Sequence, residues 1–181
     1  MNVQSVRVWD PLVRIFHWTL VASFVIAWLT GDDWMTVHHW AGYAAAALVV
    51  FRIVWGFAGS TYARFGQFVR SPAVVLGFLR DMLQRKEPRY IGHNPAGGIM
   101  IIALIAAMLF TSVSGWMMTL DAYWGEEWIE EVHEVLANFM LGMVILHVAG
   151  VLWASYAHHE NLVRSMIVGT KQVADREEDV R

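Results

Sequence analysis

His133 and His147 lie fourteen residues apart in the apolar stretch VHEVLANFMLGMVILHVAGVLW. At about 100° per helical residue, fourteen steps return the chain to within about 40° of its starting azimuth and advance it about 21 Å. The two imidazoles therefore share one helix face. They are too far apart for one metal ion, and their separation covers most of a bilayer hydrocarbon core of about 30 Å. Imidazole is a transition-metal ligand, so the spacing predicts two stacked redox cofactors, one toward each end of the helix. Each needs a second imidazole from another element, and His17 and either His38 or His39 are the candidates.

The elements that must carry these residues follow from composition. The chain has 181 residues, is 57% hydrophobic and contains ten tryptophans, and its apolar residues form long blocks rather than alternating. Four blocks, roughly 12–30, 38–58, 97–120 and 132–156, are long enough to span a bilayer. The expected architecture is an all-α integral membrane protein, a four-helix bundle forming one domain over 1–181. The first block is followed by Thr30-Gly31-Asp32-Asp33-Trp34 instead of a small-residue cleavage site, and it contains His17; it reads as a true first span rather than a signal peptide. There is no cysteine, which excludes disulfides, Cys-ligated iron–sulfur clusters and covalent c-type haem.

Charge fixes the expected orientation. Arg7 and Arg14 precede or open the first span. Arg64, Arg70, Arg80, Arg85, Lys86 and Arg89 fall in the loop between spans two and three, and Arg164, Lys171, Arg176 and Arg181 in the tail. The other two loops contain no basic residue, so both termini should be cytoplasmic. The outward loops are acidic, with Asp32 and Asp33 in one, Asp121, Glu126, Glu127, Glu130 and Glu131 in the other, and Glu134 just beyond. Such loops are either ordinary solvated surface or a docking face for a basic protein partner. In the 2–3 loop, Ser71-Pro72 followed by VVLGFLRDMLQRK predicts a short amphipathic helix on the cytoplasmic membrane surface. The run His93–Gly98 breaks the chain before the third span, and the charged segment Ala174–Arg181 should fray.

Depth then sorts the histidines. Spans two and four enter from outside, which puts His38 and His39 level with His133. Span one enters from inside, which makes His17 the mate of His147. Two histidines per layer fit haem, a large apolar macrocycle held by two axial imidazoles within a helical bundle; zinc or copper would want three or four ligands close together. Gly42, four residues after His38, and Gly150, three after His147, would let a flat ring approach, or would serve helix packing instead. Arg52, fourteen residues beyond His38, either pairs a haem propionate or snorkels to the inner headgroups, the second being favoured by its place near the helix end. His93, His158 and His159 sit near the inner surface, where they are candidates for proton exchange with a quinone. Tryptophans such as Trp9, Trp18, Trp28, Trp34, Trp124, Trp128 and Trp153 mark the two interfaces.

The segments VWDPLVRIFHW, VHHWAGYAAAALVVFRIVWGFAGSTYARF, GHNPAGG and VHEVLANFMLGMVILHVAGV, followed by ENLVRSMIVGTK, resemble the bacterial cytochrome b561 and nickel–iron hydrogenase b-type cytochrome family. The resemblance runs from about Val6 to Lys171. It implies a bundle enclosing two b-type haems, with His17 and His147 on the cytoplasmic-side haem and His38 and His133 on the periplasmic-side one. The family pattern sets a ligand histidine four residues before a glycine, which selects His38 over His39. The resemblance also implies a protein of the bacterial inner membrane that moves electrons between a periplasmic redox partner, such as a hydrogenase or c-type cytochrome, and exchangeable quinone. Such a chain serves an oxidoreductase of hydrogenase or dehydrogenase type without itself needing to turn over substrate. By location alone, Arg14, Trp18 and His93 are candidates for the quinone pocket. The alternative is a superoxide:quinone oxidoreductase, as some relatives are, although the acidic outer loops would repel that anion. A non-redox scaffold or transporter would use the histidines structurally or as proton relays.

Overall fold

The computed structural model describes residues 3–174. In chain order the elements are β1 (Val3–Arg7), α1 (Pro11–Thr30), α2 (Met35–Ala58), a 3-10 turn (Thr61–Ala63), α3 (Phe65–Phe68), α4 (Pro72–Leu83), α5 (Pro95–Met117), a second 3-10 turn (Asp121–Tyr123), α6 (Glu127–Ala157), α7 (Leu162–Val168) and β2 (Thr170–Ala174). α1, α2, α5 and α6 are each long and apolar enough to cross a membrane. They are the four expected spans, and α4 is the expected short helix of the 2–3 loop. A two-stranded ribbon, not anticipated from the sequence, is added to the helices.

Helix starts follow local chemistry. Asp10 caps α1, its Oδ1 accepting from the Val13 N–H at 2.9 Å with Pro11 in the first helical position. Asn94-Pro95 repeats the device for α5, with Asn94 Oδ1 accepting from the Gly97 N–H at 2.7 Å. The segment expected to break the chain before residue 97 is thus this helix's cap and first turn. At α4, Ser71 is extended and Pro72 opens the helix, but the serine side chain makes no capping bond. Val75 and Phe78 face inward, whereas Leu76 and Leu83 are 67% and 84% exposed.

Three boundaries shift from expectation. α2 begins at Met35, so His38 lies one turn inside; the Trp34 N–H bonds Thr30 O at 3.1 Å and His38 N–H bonds Trp34 O at 3.0 Å, leaving only a tight turn after α1. α6 begins at Glu127, before its apolar block, with Glu127 and Glu130 in a first turn where the helix dipole favours carboxylates. α5 stops at Met117, after which Thr119 and Leu120 bond back three residues to Trp116 and Met117. Of the segment expected to fray, Ala174 closes β2, and 175–181 lie outside the described residues.

By their contacts the described residues form two compact units. One comprises Ile15–Ile53 and Ala103–Ile145. Its core is Ala45, Val49, Ala107, Met108 and Met140, flanked by Leu20, Phe24, Ile53, Leu104, Ile105, Leu109 and Val144. Lipid tails are as apolar as leucine, so burial alone drives little association between spans; small residues such as Ala41 and Ala45 let backbones approach and gain dispersion contacts instead.

The other unit takes in 3–14, 54–102 and 146–174. β1 and β2 pair antiparallel within it, from Val3 opposite Ala174 to Arg7 opposite Thr170. Val8 and Trp9 both donate their N–H to Gly169 O, at 2.9 and 3.1 Å, and the Trp9 indole donates to Ser165 Oγ at 3.3 Å. Gly169 ends α7 at φ 88°, a left-handed conformation costly to residues with a side chain. Val8, Trp9 and Ile91 form a small core with Val6, Tyr62 and Met166. Asp10 Oδ2 also accepts from Ser60 Oγ at 2.5 Å and the Trp55 indole at 3.2 Å. Burial alone would raise this carboxyl's pKa, but the bonds from Ser60, Val13 and Trp55 together hold it below the usual range. Glu160 is paired with both Arg89 and Lys171.

Candidate histidine site

His38 and His133 come together in the first of these units, with ring centroids 6.0 Å apart and planes at 81°. His38 rises from the first turn of α2, and its Nδ1 lies 2.8 Å from the carbonyl oxygen of Ala27 in the last turn of α1. His133, two turns into α6, seats its Nδ1 3.1 Å from Thr111 O and 3.0 Å from Ser114 Oγ on α5. A carbonyl can only accept. Each Nδ1 therefore carries the proton, and each Nε2 keeps the lone pair that a metal requires.

The arrangement fits a bis-imidazole haem by its donor chemistry. His38 and His133 would hold the iron through Nε2, the atom each ring leaves uncommitted. No group of three or more His, Cys, Asp or Glu is gathered for a metal among the described residues. Gly115 is the close-approach residue. A Cβ there would stand 2.9 Å from Cε1 of His133, so any larger side chain displaces the ring. At Gly42 a Cβ would meet nothing within 4 Å, which leaves room beside His38 one turn further along α2.

His39 is the other histidine of α2. It is half-buried, 6.2 Å from the His38 ring and 6.5 Å from Tyr43. Of the two, His38 is the one whose ring lies 6.0 Å from that of His133. Arg52 corrects the expectation that it snorkels: it is 3% exposed. Fourteen residues from His38, it returns to the α2 face that also buries Ala41, Ala45 and Val49, and that face is packed rather than open to headgroups.

The remaining histidines are each placed within their own unit. His17 is half-buried on α1, its ring edge-on to Trp18 at 5.0 Å. His147 is half-buried on α6, which runs unbroken through both His133 and His147. His93 lies between the rings of Trp9 and Phe68, at 4.6 and 4.7 Å. Arg14 donates from Nη2 to the carbonyl of Ile167, so this quinone-pocket candidate serves at least as a tie between α1 and α7. Trp18 is 40% exposed. His158 is half-buried and His159 exposed just beyond α6.

The sequence reading missed the seat of His133, namely Thr111, Ser114 and Gly115. A signal was present: TSVSG places three hydroxyls and a glycine inside an otherwise apolar span, where polar side chains need partners and small ones admit a neighbour.

Four membrane-spanning helices with an imidazole pair held by main-chain and hydroxyl oxygens define a multi-pass membrane protein of cytochrome type. The chain belongs to the prokaryotic cytochrome b561 family, whose sequence profile matches residues 8–169. It is accordingly a b-type cytochrome that transfers electrons and binds haem b. Among its relatives, a probable Ni/Fe-hydrogenase B-type cytochrome subunit of Rhizobium leguminosarum bv. viciae is 23% identical over 221 positions, covering 97% of this chain and 92% of the relative. One of the same description from Azotobacter vinelandii is 20% identical over 222 positions, with the same coverage. Those 221 positions exceed the 181 residues here, so at least 40 positions of the first relative have no counterpart in this chain. No solved structure matches the chain.

Proposed function

We propose that this protein is a di-haem cytochrome carrying electrons between a periplasmic redox protein and the quinone pool of the bacterial inner membrane, with both termini cytoplasmic. The observation that carries this reading is the His38–His133 pair, each Nδ1 bonded to a carbonyl oxygen. Bound haem supplies a one-electron iron centre. The protein's own part is to hold imidazoles in one tautomer and orientation, which Ala27 O does for His38 and Thr111 O with Ser114 Oγ for His133.

His17 and His147 are the ligand pair we propose for the second haem, supported by their place in the family's motifs and by the fourteen-residue spacing from His133 to His147 within one helix. The distribution of basic residues supports the orientation. Asp32, Asp33, Asp121, Glu126, Glu127, Glu130, Glu131 and Glu134 are all exposed, and they suit a partner that is basic at the contact, a hydrogenase or a small c-type cytochrome. The same carboxylates repel an anionic substrate, which sets this reading ahead of superoxide oxidation.

Reduced-minus-oxidised spectra with a pyridine haemochrome count test the proposal. Two b haems per chain are expected. His38→Ala and His133→Ala should each remove the same haem, and His17→Ala and His147→Ala the other. Full haem content in all four variants would overturn the ligand assignment.

A further inference from the structure

A second cluster of chemistry-bearing side chains belongs to the unit that holds the ribbon. Beyond the last turn of α6 a cleft of about 520 Å³ is lined by Arg89, His158, His159, Glu160, Arg164 and Lys171, among others. That volume lies in the range of small-ligand sites. Its fixed charges are three cationic side chains against one carboxylate. Glu160 is engaged by both Arg89 and Lys171, while Arg89 also donates to Gln172 O at 2.7 Å and Lys171 to Tyr90 O at 3.3 Å. Arg164 is exposed, and its guanidinium makes no hydrogen bond or ion pair among the described residues. The wall is therefore rigid, with one guanidinium left over. His159 adds a strained element, since it holds φ 53°, a left-handed conformation uncommon for a residue other than glycine.

Position narrows the ligand class. The cleft begins at the residue after α6 ends, and the preceding turn exposes Trp153 (40%) and Tyr156 (75%), side chains that favour the level of lipid headgroups. Leu152, 59% exposed, continues an apolar surface down the same helix. A phosphate with an attached apolar tail matches both surfaces, and basic pockets at this depth take anionic headgroups.

We propose that this cleft binds the phosphodiester of an anionic phospholipid, with Arg164 as the principal ligand and the Arg89–Glu160–Lys171 group as its fixed wall. The proposal is independent of the haem assignment. It is tested on the full-length, haem-loaded protein in detergent, offered phosphatidylglycerol or phosphatidylcholine and read by native mass spectrometry for retained lipid. Wild type should retain phosphatidylglycerol in preference to phosphatidylcholine. Arg164→Gln should lower that retention by about tenfold, the loss of one charge-assisted contact. Arg80→Gln, an exposed charge on α4, should leave it unchanged. Equal retention of the two lipids, or equal loss in both variants, would overturn the site. Displacement of the lipid by millimolar inorganic phosphate would make the ligand a soluble phosphate and overturn the lipid assignment. Haem content and melting temperature, unchanged in Arg164→Gln, confirm that the variant is folded.

Discussion

The two units hold themselves together by different means. The ribbon-bearing unit carries most of the basic residues and is tied by polar contacts between segments distant in sequence: Asp10 to Ser60 and Trp55, Trp9 to Ser165, and Glu160 to Arg89 and Lys171. The histidine-bearing unit has eight exposed carboxylates and a single basic residue, Arg52. Its core is alanine, valine and methionine, and its polar contacts between helices include those that seat His38 and His133. One unit is closed by its own side chains. In the other, polar contacts between helices fix two imidazoles, and a group bound at the proposed site would stabilise the fold by mass action.

The contrast is broken most directly at Glu160. Glu160→Ala leaves Arg89 and Lys171, both largely buried, without their carboxylate, and should cost about 3 kcal/mol. A clear fall in melting temperature is expected with the haem spectrum intact. Loss of haem at the same step would show that the units are not energetically distinct. Gly115→Val makes the converse test, because its side chain collides with the His133 ring and should cost about 1–3 kcal/mol. The haem proposed at His38 and His133 should be lost or weakly held and the one proposed at His17 and His147 should remain, measured by haemochrome count.

Asp10 sharpens the comparison through pH. Its folded pKa is depressed, so its contribution to stability is fully present above the unfolded value, 3.8, and is lost as pH falls through the folded one. Asp10→Asn should lower stability by about 1 kcal/mol at neutral pH and flatten the acid limb of a melting-temperature profile. An unchanged acid limb would remove Asp10 from the account. The smallest effect is expected at His39, whose ring lies near those of His38 and Tyr43, whereas His38 is the ring beside His133. On the proposed assignment His39→Ala should keep the wild-type haem content, and loss of a haem would transfer to His39 the ligand role proposed for His38.

Legibility differed between the units for a physical reason. The spans and the His133–His147 face could be read because helical periodicity is local; the residues themselves left His38 and His39 open, and only the family resemblance preferred His38. The seat of His133 needed knowledge of which α5 residues face α6, and the sequence pattern of TSVSG marks polarity without direction. The ribbon was illegible. Each strand is five residues long, and the pairs join residues more than 160 positions apart, so no local pattern announces them. The same holds for Arg89 and Glu160, separated by 71 positions.

That ribbon also orders events during synthesis. β1 is made before the four spans, but its partner strand is made only after the last of them. Until then Val8 and Trp9 lack Gly169, and Arg14 lacks Ile167, so nothing from the C-terminal segment secures the start of α1. Long-range closure of this kind comes late in folding because loop entropy must be overcome first. A chain that ends after the first span and short of residue 167 therefore carries that span with neither Ile167 nor Gly169 to fasten its start.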